Sequence, residues 1–181
     1  FNKTAWAGNI IGGGDWAKDR IIPDIFKSLK NGKKLVIRNP NATRPWQHVL
    51  DVINGYILLI ESKKTGSWNF GPKLKSSQRV IDILNFLKKK NNKLKWLLKR
   101  TKYKNESINL NLSSKKSLKL LKWSPKWDFK KSLTNTQEWY ECFYTKKDII
   151  NFTNNQIKNY FKVWESHTEK MFTIIFNGNL L

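Results

Sequence analysis

The sequence predicts an α/β fold, and three observations carry that expectation. Short apolar runs with strand character recur at residues 4–7, 34–38, 67–70 and 107–112. Between them lie segments whose apolar residues recur at helical spacing, as at Val49, Leu50, Val52, Ile53, Tyr56, Ile57 and Ile60. Glycine and proline mark the changes, at Asn31-Gly32 and Gly71-Pro72. Strands alternating with helices are the mark of α/β organisation.

Taken in order, residues 4–7 form a strand that runs into a loop, Asn9-Ile-Ile-Gly-Gly-Gly14. Residues 21–29 form a helix with Pro23 in the first turn, where a missing N–H does no harm, and Asn31-Gly32 closes it. A strand at 34–38 follows, then a well-buried helix at 49–61 and a strand at 67–70. Ser76-Ser77 can cap the next helix, whose apolar face is Val80, Ile83, Leu84 and Leu87. Residues 88–104 are the most charged stretch and read as a helix end and a surface loop. In the strand at 107–112, Ile108, Leu110 and Leu112 share a face; Ser113-Ser114 then open a helix ending near Leu121. Trp123 to Asp128 is a turn, and helices at 129–143 and 153–161 complete the pattern. The organised part is 1–161; residues 162–181 carry no persuasive pattern and read as a tail that is disordered or packs on a partner.

The chain has 181 residues and a net charge of +22. Such a charge alone points to nucleic acid or an acidic surface. Yet only Arg20, Arg38, Arg44, Arg79 and Arg100 are arginine, and the lysine excess is matched by an asparagine excess, as an A/T-rich genome would produce. Base readers favour the planar arginine fork, so no nucleic-acid partner is expected, and a basic nucleic-acid-binding module is only the alternative of a different class. No run of about 18 apolar residues and no signal-peptide order occurs, and no membrane association is expected. Cys142 is alone, which excludes an internal disulfide framework and fits a cytoplasmic location. The start at Phe1 with strand character reads as a fragment lacking an upstream half.

Two segments carry chemistry. Gly12-Gly13-Gly14 lies between a strand and a helix, but its spacing does not match a dinucleotide loop; it offers a turn with close backbone approach to a ligand. Arg38, Arg44, Gln47 and His48 crowd beside Pro40, Pro45 and Trp46. Guanidinium forks suit a diphosphate, although ordinary surface arginines and a satisfied buried His48 are equally compatible with the segment alone. His48 and His167 without an acidic cluster make no metal site. Asp15, Asp19 and Asp24 are close in sequence, but Asp24 is expected to face away on its helix, so no hydrolytic pair is read from them. No catalytic set emerges.

The segments Ala7-Gly-Asn-Ile-Ile-Gly-Gly-Gly-Asp-Trp-Ala17, Asp19-Arg-Ile-Ile-Pro-Asp24 and Arg38-Asn-Pro-Asn-Ala-Thr-Arg-Pro-Trp-Gln-His-Val49 resemble the CDP-glucose 4,6-dehydratases, extended short-chain dehydrogenase/reductases. Ser67-Trp-Asn-Phe-Gly-Pro72, Leu121-x-Trp-x-Pro-x-Trp-Asp128 and Glu138-Trp-Tyr140 continue the likeness in order. The resemblance implies the C-terminal part of a Rossmann-type NAD(P)-binding fold plus a small α/β substrate-binding domain. It implies a lyase that converts CDP-D-glucose to CDP-4-dehydro-6-deoxy-D-glucose with bound NAD, in deoxysugar and surface polysaccharide biosynthesis, and a homodimer. Another nucleotide-sugar dehydratase or epimerase of the superfamily is the alternative. By matched position Asn9, Arg20, Arg38, Arg44 and Gln47 bind the sugar nucleotide. The family's glycine-rich NAD loop and Tyr-x-x-x-Lys pair do not occur in these residues, so no catalytic or cofactor-binding residue is assigned and NAD is expected through an N-terminal half. Departures from the family pattern fall at Trp6 (arginine is usual), at Asn105-Glu106 (a histidine-containing segment) and at Lys122 (glycine).

Overall fold

The structure, a computed structural model, describes residues 2–73, 77–99 and 110–161. Strand β1 (Lys3–Ala7) runs parallel to β6 (Gly66–Phe70), from Lys3 opposite Gly66 to Ala7 opposite Phe70. At Gly8 the chain changes partner. The Gly8 amide still donates to the Phe70 carbonyl at 3.0 Å, while the next amide, of Asn9, donates to the Pro45 carbonyl at 3.0 Å. Strand β2 (Asn9–Ile11) thus pairs in parallel with β5 (Trp46–His48). A Cβ on Gly8 would overlap the Pro45 carbonyl oxygen, which is why glycine stands at the junction.

Helix α1 (Ile21–Lys30) follows a loop and buries Ile22, Ile25 and Phe26. Strand β3 (Leu35–Ile37) pairs in parallel with β8 (Trp96–Leu98). The two-residue strand β4 (Thr43–Arg44) pairs antiparallel with β7 (Gln78–Arg79). Helices α2 (Val49–Glu61), α3 (Val80–Lys90), α4 (Lys115–Leu121), α5 (Phe129–Tyr144) and α6 (Ile149–Phe161) complete the described residues. The α/β class is as expected, and most helices fall within a residue or two of their anticipated bounds.

Several expectations need correction. Helix α3 is not capped by serine: Ser77 bonds Asn111 at 2.8 Å, and the Arg79 amide donates to the Asp82 carboxylate at 3.0 Å. Ser76 lies outside the described residues. The charged stretch from Lys88 contains β8 and the fully buried Leu94. Of the strand anticipated at 107–112, residues 107–109 lie outside the described residues and 110–112 are irregular. Helix α6 begins four residues early, where the Asp148 carboxylate accepts the Asn151 amide at 3.0 Å. Ile53 and Ile60 of α2 are exposed, so this helix is buried on one side only.

The main core joins α1, α3 and α5 to β2, β3 and β5 through Ile25, Phe26, Ile37, Trp46, Ile83, Leu84, Leu133 and Tyr140. A second core sits under β6. There Trp123, 1% exposed, stands edge-on to Phe70 at 5.0 Å and donates its indole N–H to the Asp51 carbonyl at 3.0 Å. Burying an aromatic side chain of this kind removes roughly 150–250 Å² from water, an upper bound of about 4–6 kcal/mol. Trp127 packs on His48 at 4.6 Å and on Tyr160 at 5.1 Å, while the Asp128 carboxylate caps α5 by accepting the Lys131 amide at 2.8 Å. The tryptophan-rich turn is therefore a structural seam.

Two backbone positions give measurable expectations. Lys122 closes α4 in the left-handed region at φ 55°. A left-handed L-residue costs about 1–2 kcal/mol, and glycine returns about 0.5–1 of that as unfolded-state entropy. Lys122→Gly should therefore stabilise the chain by roughly 0.5–1 kcal/mol in urea denaturation. At Gly55 the balance is opposite. Alanine gains about 1 kcal/mol of helix propensity, but its Cβ would overlap the Phe70 ring and press on the Trp123 indole nitrogen. Overpacking of this kind costs about 1–3 kcal/mol, so Gly55→Ala should lower the denaturation midpoint.

Candidate functional site

The partner change at Gly8 opens a cleft of about 690 Å³ between β2, the start of α1, β3 and β4. Asn9, Arg20, Arg38 and Arg44 all line it. Asn9 stands at the first position of β2, Arg20 caps α1, Arg38 follows β3 and Arg44 ends β4. Four of the five residues anticipated as ligand-binding, far apart in sequence, are thus brought to one place.

The guanidiniums are held by near neighbours. Arg20 Nη1 donates to Asp15 Oδ2 at 3.1 Å and Arg38 Nη2 to Asp19 Oδ1 at 2.9 Å; the Arg20 and Arg38 side chains are 61% and 55% exposed. Arg44 Nη1 donates to the Thr43 carbonyl at 2.9 Å. Exposed pairs of this kind contribute about 0–1 kcal/mol, so an anion of higher charge can displace the carboxylates. The Asp15 Oδ1 also accepts the Ala17 amide at 3.0 Å, tightening the loop.

Asp24 does not face away from this chemistry: it lines the cleft too. Burial chiefly pushes its carboxyl above the ordinary carboxylate range, with Lys27 and Arg38 opposing and Asp19 and Asp15 reinforcing the rise. Neither Asp15 nor Asp19 was singled out by residue type as an arginine partner. The signal available was their position, five and nineteen residues before the arginines they hold.

Gln47 is not in the cleft. It is 1% exposed, and its amide nitrogen donates to the Phe70 carbonyl at 2.6 Å, tying β5 to the end of β6. His48 is buried, as one of the two readings has it, but only half satisfied: among the described residues its Nε2 has no hydrogen-bond partner. Its Nδ1 accepts the Leu50 amide at 3.2 Å, capping α2, and desolvation lowers its pKa to about 3. The glycine run closes on protein: a Cβ at Gly12 would press on Val49 and one at Gly13 would overlap Trp139. The following residue, Asp15, has its carbonyl bonded by the Tyr140 hydroxyl at 2.5 Å, and Trp16 packs at 4.8 Å on Phe143. The run therefore seats α5 against the cleft wall. Gly12 and Gly13 thus offer no open glycine cradle for a dinucleotide pyrophosphate.

Asp51 is buried beneath the tryptophan seam, where its Oδ1 accepts the Tyr160 hydroxyl at 2.6 Å and the Lys126 amide at 2.7 Å. Burial raises its pKa despite those bonds. Among the described residues no group of three or more His, Cys, Asp or Glu could hold a metal ion, and Cys142 is buried. No helix there is long and apolar enough to cross a membrane. The arrangement presents guanidinium donors suited to an anion, and among the described residues no nucleophile–base pair stands beside them.

No family model matches the chain. It is 35% identical over 161 residues to the CDP-glucose 4,6-dehydratase of Salmonella typhimurium strain LT2, covering 85% of this chain and 45% of that protein. The resemblance read from the motifs is borne out. Among solved structures, the UDP-glucuronic acid 4-epimerase of Bacillus cereus in complex with UDP-glucuronic acid and NAD superposes with a TM-score of 0.68 at 21% identity, over 77% of this chain and 45% of that one. The dTDP-glucose 4,6-dehydratase of Bacillus anthracis in complex with NAD gives 0.63 at 19% identity, over 77% and 44%. The fold is that of the Rossmann-type sugar dehydratases and epimerases, and the chain spans about half the length of these relatives.

Burial of His48 has a pH signature. Unfolded His48 takes up a proton below its ordinary value of 6.5, whereas the folded ring resists down to about 3. Its contribution is therefore full above pH 6.5 and is lost as pH falls toward 3. Asp51, with its pKa raised, works oppositely, losing stability as pH climbs above 3.8. His48→Asn keeps a capping acceptor and removes the titration. Wild type should lose more stability than this variant between about pH 7 and pH 4 by urea denaturation. A difference that stays flat across that range refutes the assignment.

Proposed function

We propose, from the homology of this chain to nucleotide-sugar dehydratases and epimerases of the short-chain dehydrogenase/reductase superfamily, that it is the sugar-nucleotide-binding part of a CDP-glucose 4,6-dehydratase. The observation that carries the reading is the convergence of Asn9, Arg20, Arg38 and Arg44 on one cleft. Three guanidiniums offer forked donors to a diphosphate, and the Asn9 amide adds a neutral donor and acceptor suited to a sugar hydroxyl. The interactions orient a substrate rather than transfer its protons.

In this reading the whole enzyme converts CDP-D-glucose to CDP-4-dehydro-6-deoxy-D-glucose, a deoxysugar precursor of surface polysaccharide, and works as a cytoplasmic homodimer. When bound, NAD supplies reversible hydride storage. It is held by a glycine-rich half that is not among these 181 residues, which also lack a Tyr-x-x-x-Lys pair. This chain alone captures substrate without turning it over. Another dehydratase or an epimerase of the superfamily is the second reading, favoured by the similarity to the 4-epimerase structure.

Calorimetric titration of the 181-residue chain with CDP-glucose tests the site. Charge-assisted hydrogen bonds contribute about 1.5–3 kcal/mol, so Arg44→Ala and Arg38→Ala should each weaken binding by roughly 10- to 150-fold. Saturable binding that both variants retain unchanged would remove the diphosphate from this cleft. Absence of binding to wild type would remove the function from these residues.

A further inference from the structure

We propose that the Asp24 carboxyl group selects the base of the bound nucleotide, accepting the 4-amino group of cytosine and rejecting the carbonyl that uracil and thymine carry there. This deepens the proposed function and rests on the cleft being a nucleotide-sugar site. Of the three carboxylates that line it, Asp15 and Asp19 are each taken by an arginine. Among the described residues the Asp24 side chain has no hydrogen bond and no ion pair. It is the acceptor left over for a ligand.

Its position suits the far end of a nucleoside diphosphate. The Asp24 amide donates to the Arg20 carbonyl at 3.0 Å, so the two residues are about one helical turn apart, about 6 Å along the helix axis. A diphosphate on Arg20 therefore has its nucleoside within reach of the next turn. The wall around it is apolar at Ile21 and Val36, the latter 52% exposed, and offers a surface for the flat face of a pyrimidine. Burial already disfavours the Asp24 charge, so a donor that compensates it gains more than it would in water.

The selection follows from donor and acceptor inventory. An ionised carboxylate only accepts, and cytosine's exocyclic amine donates; uracil and thymine present an oxygen that would face it lone pair to lone pair. An asparagine in its place can turn either its carbonyl or its amide toward the base.

The test is the affinity of CDP-glucose and UDP-glucose for the 181-residue chain and for its Asp24→Asn variant, by calorimetry at neutral pH. Wild type should prefer the cytidine ligand by on the order of tenfold or more. Asp24→Asn should bind UDP-glucose more tightly than wild type does, bringing the two affinities together; a misfolded variant cannot show that gain. Equal affinities in wild type would overturn the inference, as would an unchanged preference in a variant that binds both. If wild type binds neither ligand, the cleft reading falls and takes this inference with it.

Discussion

The cleft depends on a close approach of two backbones at Gly8 and Pro45. One amide bonds β6 and the next bonds Pro45, just ahead of β5, and that single change of partner turns Asn9 out of the first sheet. Any side chain at position 8 would collide with the Pro45 carbonyl. The junction sits between the last residue of β1 and the first cleft residue of β2, so the backbone step and the recognition surface cannot be altered separately. Hydrogen bonds there fix a geometry that side-chain packing then fills.

That packing comes from three sides. Tyr140, fully buried, stacks on Phe26 at 4.2 Å and reaches the Asp15 carbonyl, so α5 fastens the loop that carries Asp15 and Asp19. Trp46 donates its indole N–H to the Gln78 carbonyl at 3.0 Å, tying the floor of the cleft to the segment that enters α3. Trp123, just after α4, bonds the Asp51 carbonyl of α2, and Trp127, just before α5, packs on His48 and on Tyr160 of α6.

Long, periodic elements were legible in the sequence. The bounds 49–61 of α2 followed from apolar spacing, and the strand at 67–70 from its aromatic content and the Gly71-Pro72 stop. Strands β2, read from the sequence as part of a loop, β4, β5, β7 and β8 were not, because two or three residues carry no period and their pairing is set by distant segments. Gln47 and Asp24 were misplaced for the same reason. Gln47 lies on a strand covered on both faces, where alternation gives no clue to which face meets ligand. Asp24 lies opposite the buried stripe of α1, and only the tertiary fold reveals that this side borders a cleft rather than open water. Residue type pointed to Arg38 and Arg44, and family likeness added Asn9 and Arg20, where periodicity pointed to none.

The Arg20–Asp15 and Arg38–Asp19 pairs also bear on how the chain meets an anion in a cell full of them. A chain with a formal charge of +22 should attract polyanions indiscriminately, most strongly in dilute salt. Inside the cleft, however, two cations are already neutralised by their own carboxylates. Under the proposed function, a diphosphate entering there would exchange one anionic partner for another and release few counterions, so fork geometry would decide its capture more than ionic strength. On that reading, long-range attraction, which salt suppresses, is separate from a local recognition step that is nearly isocoulombic.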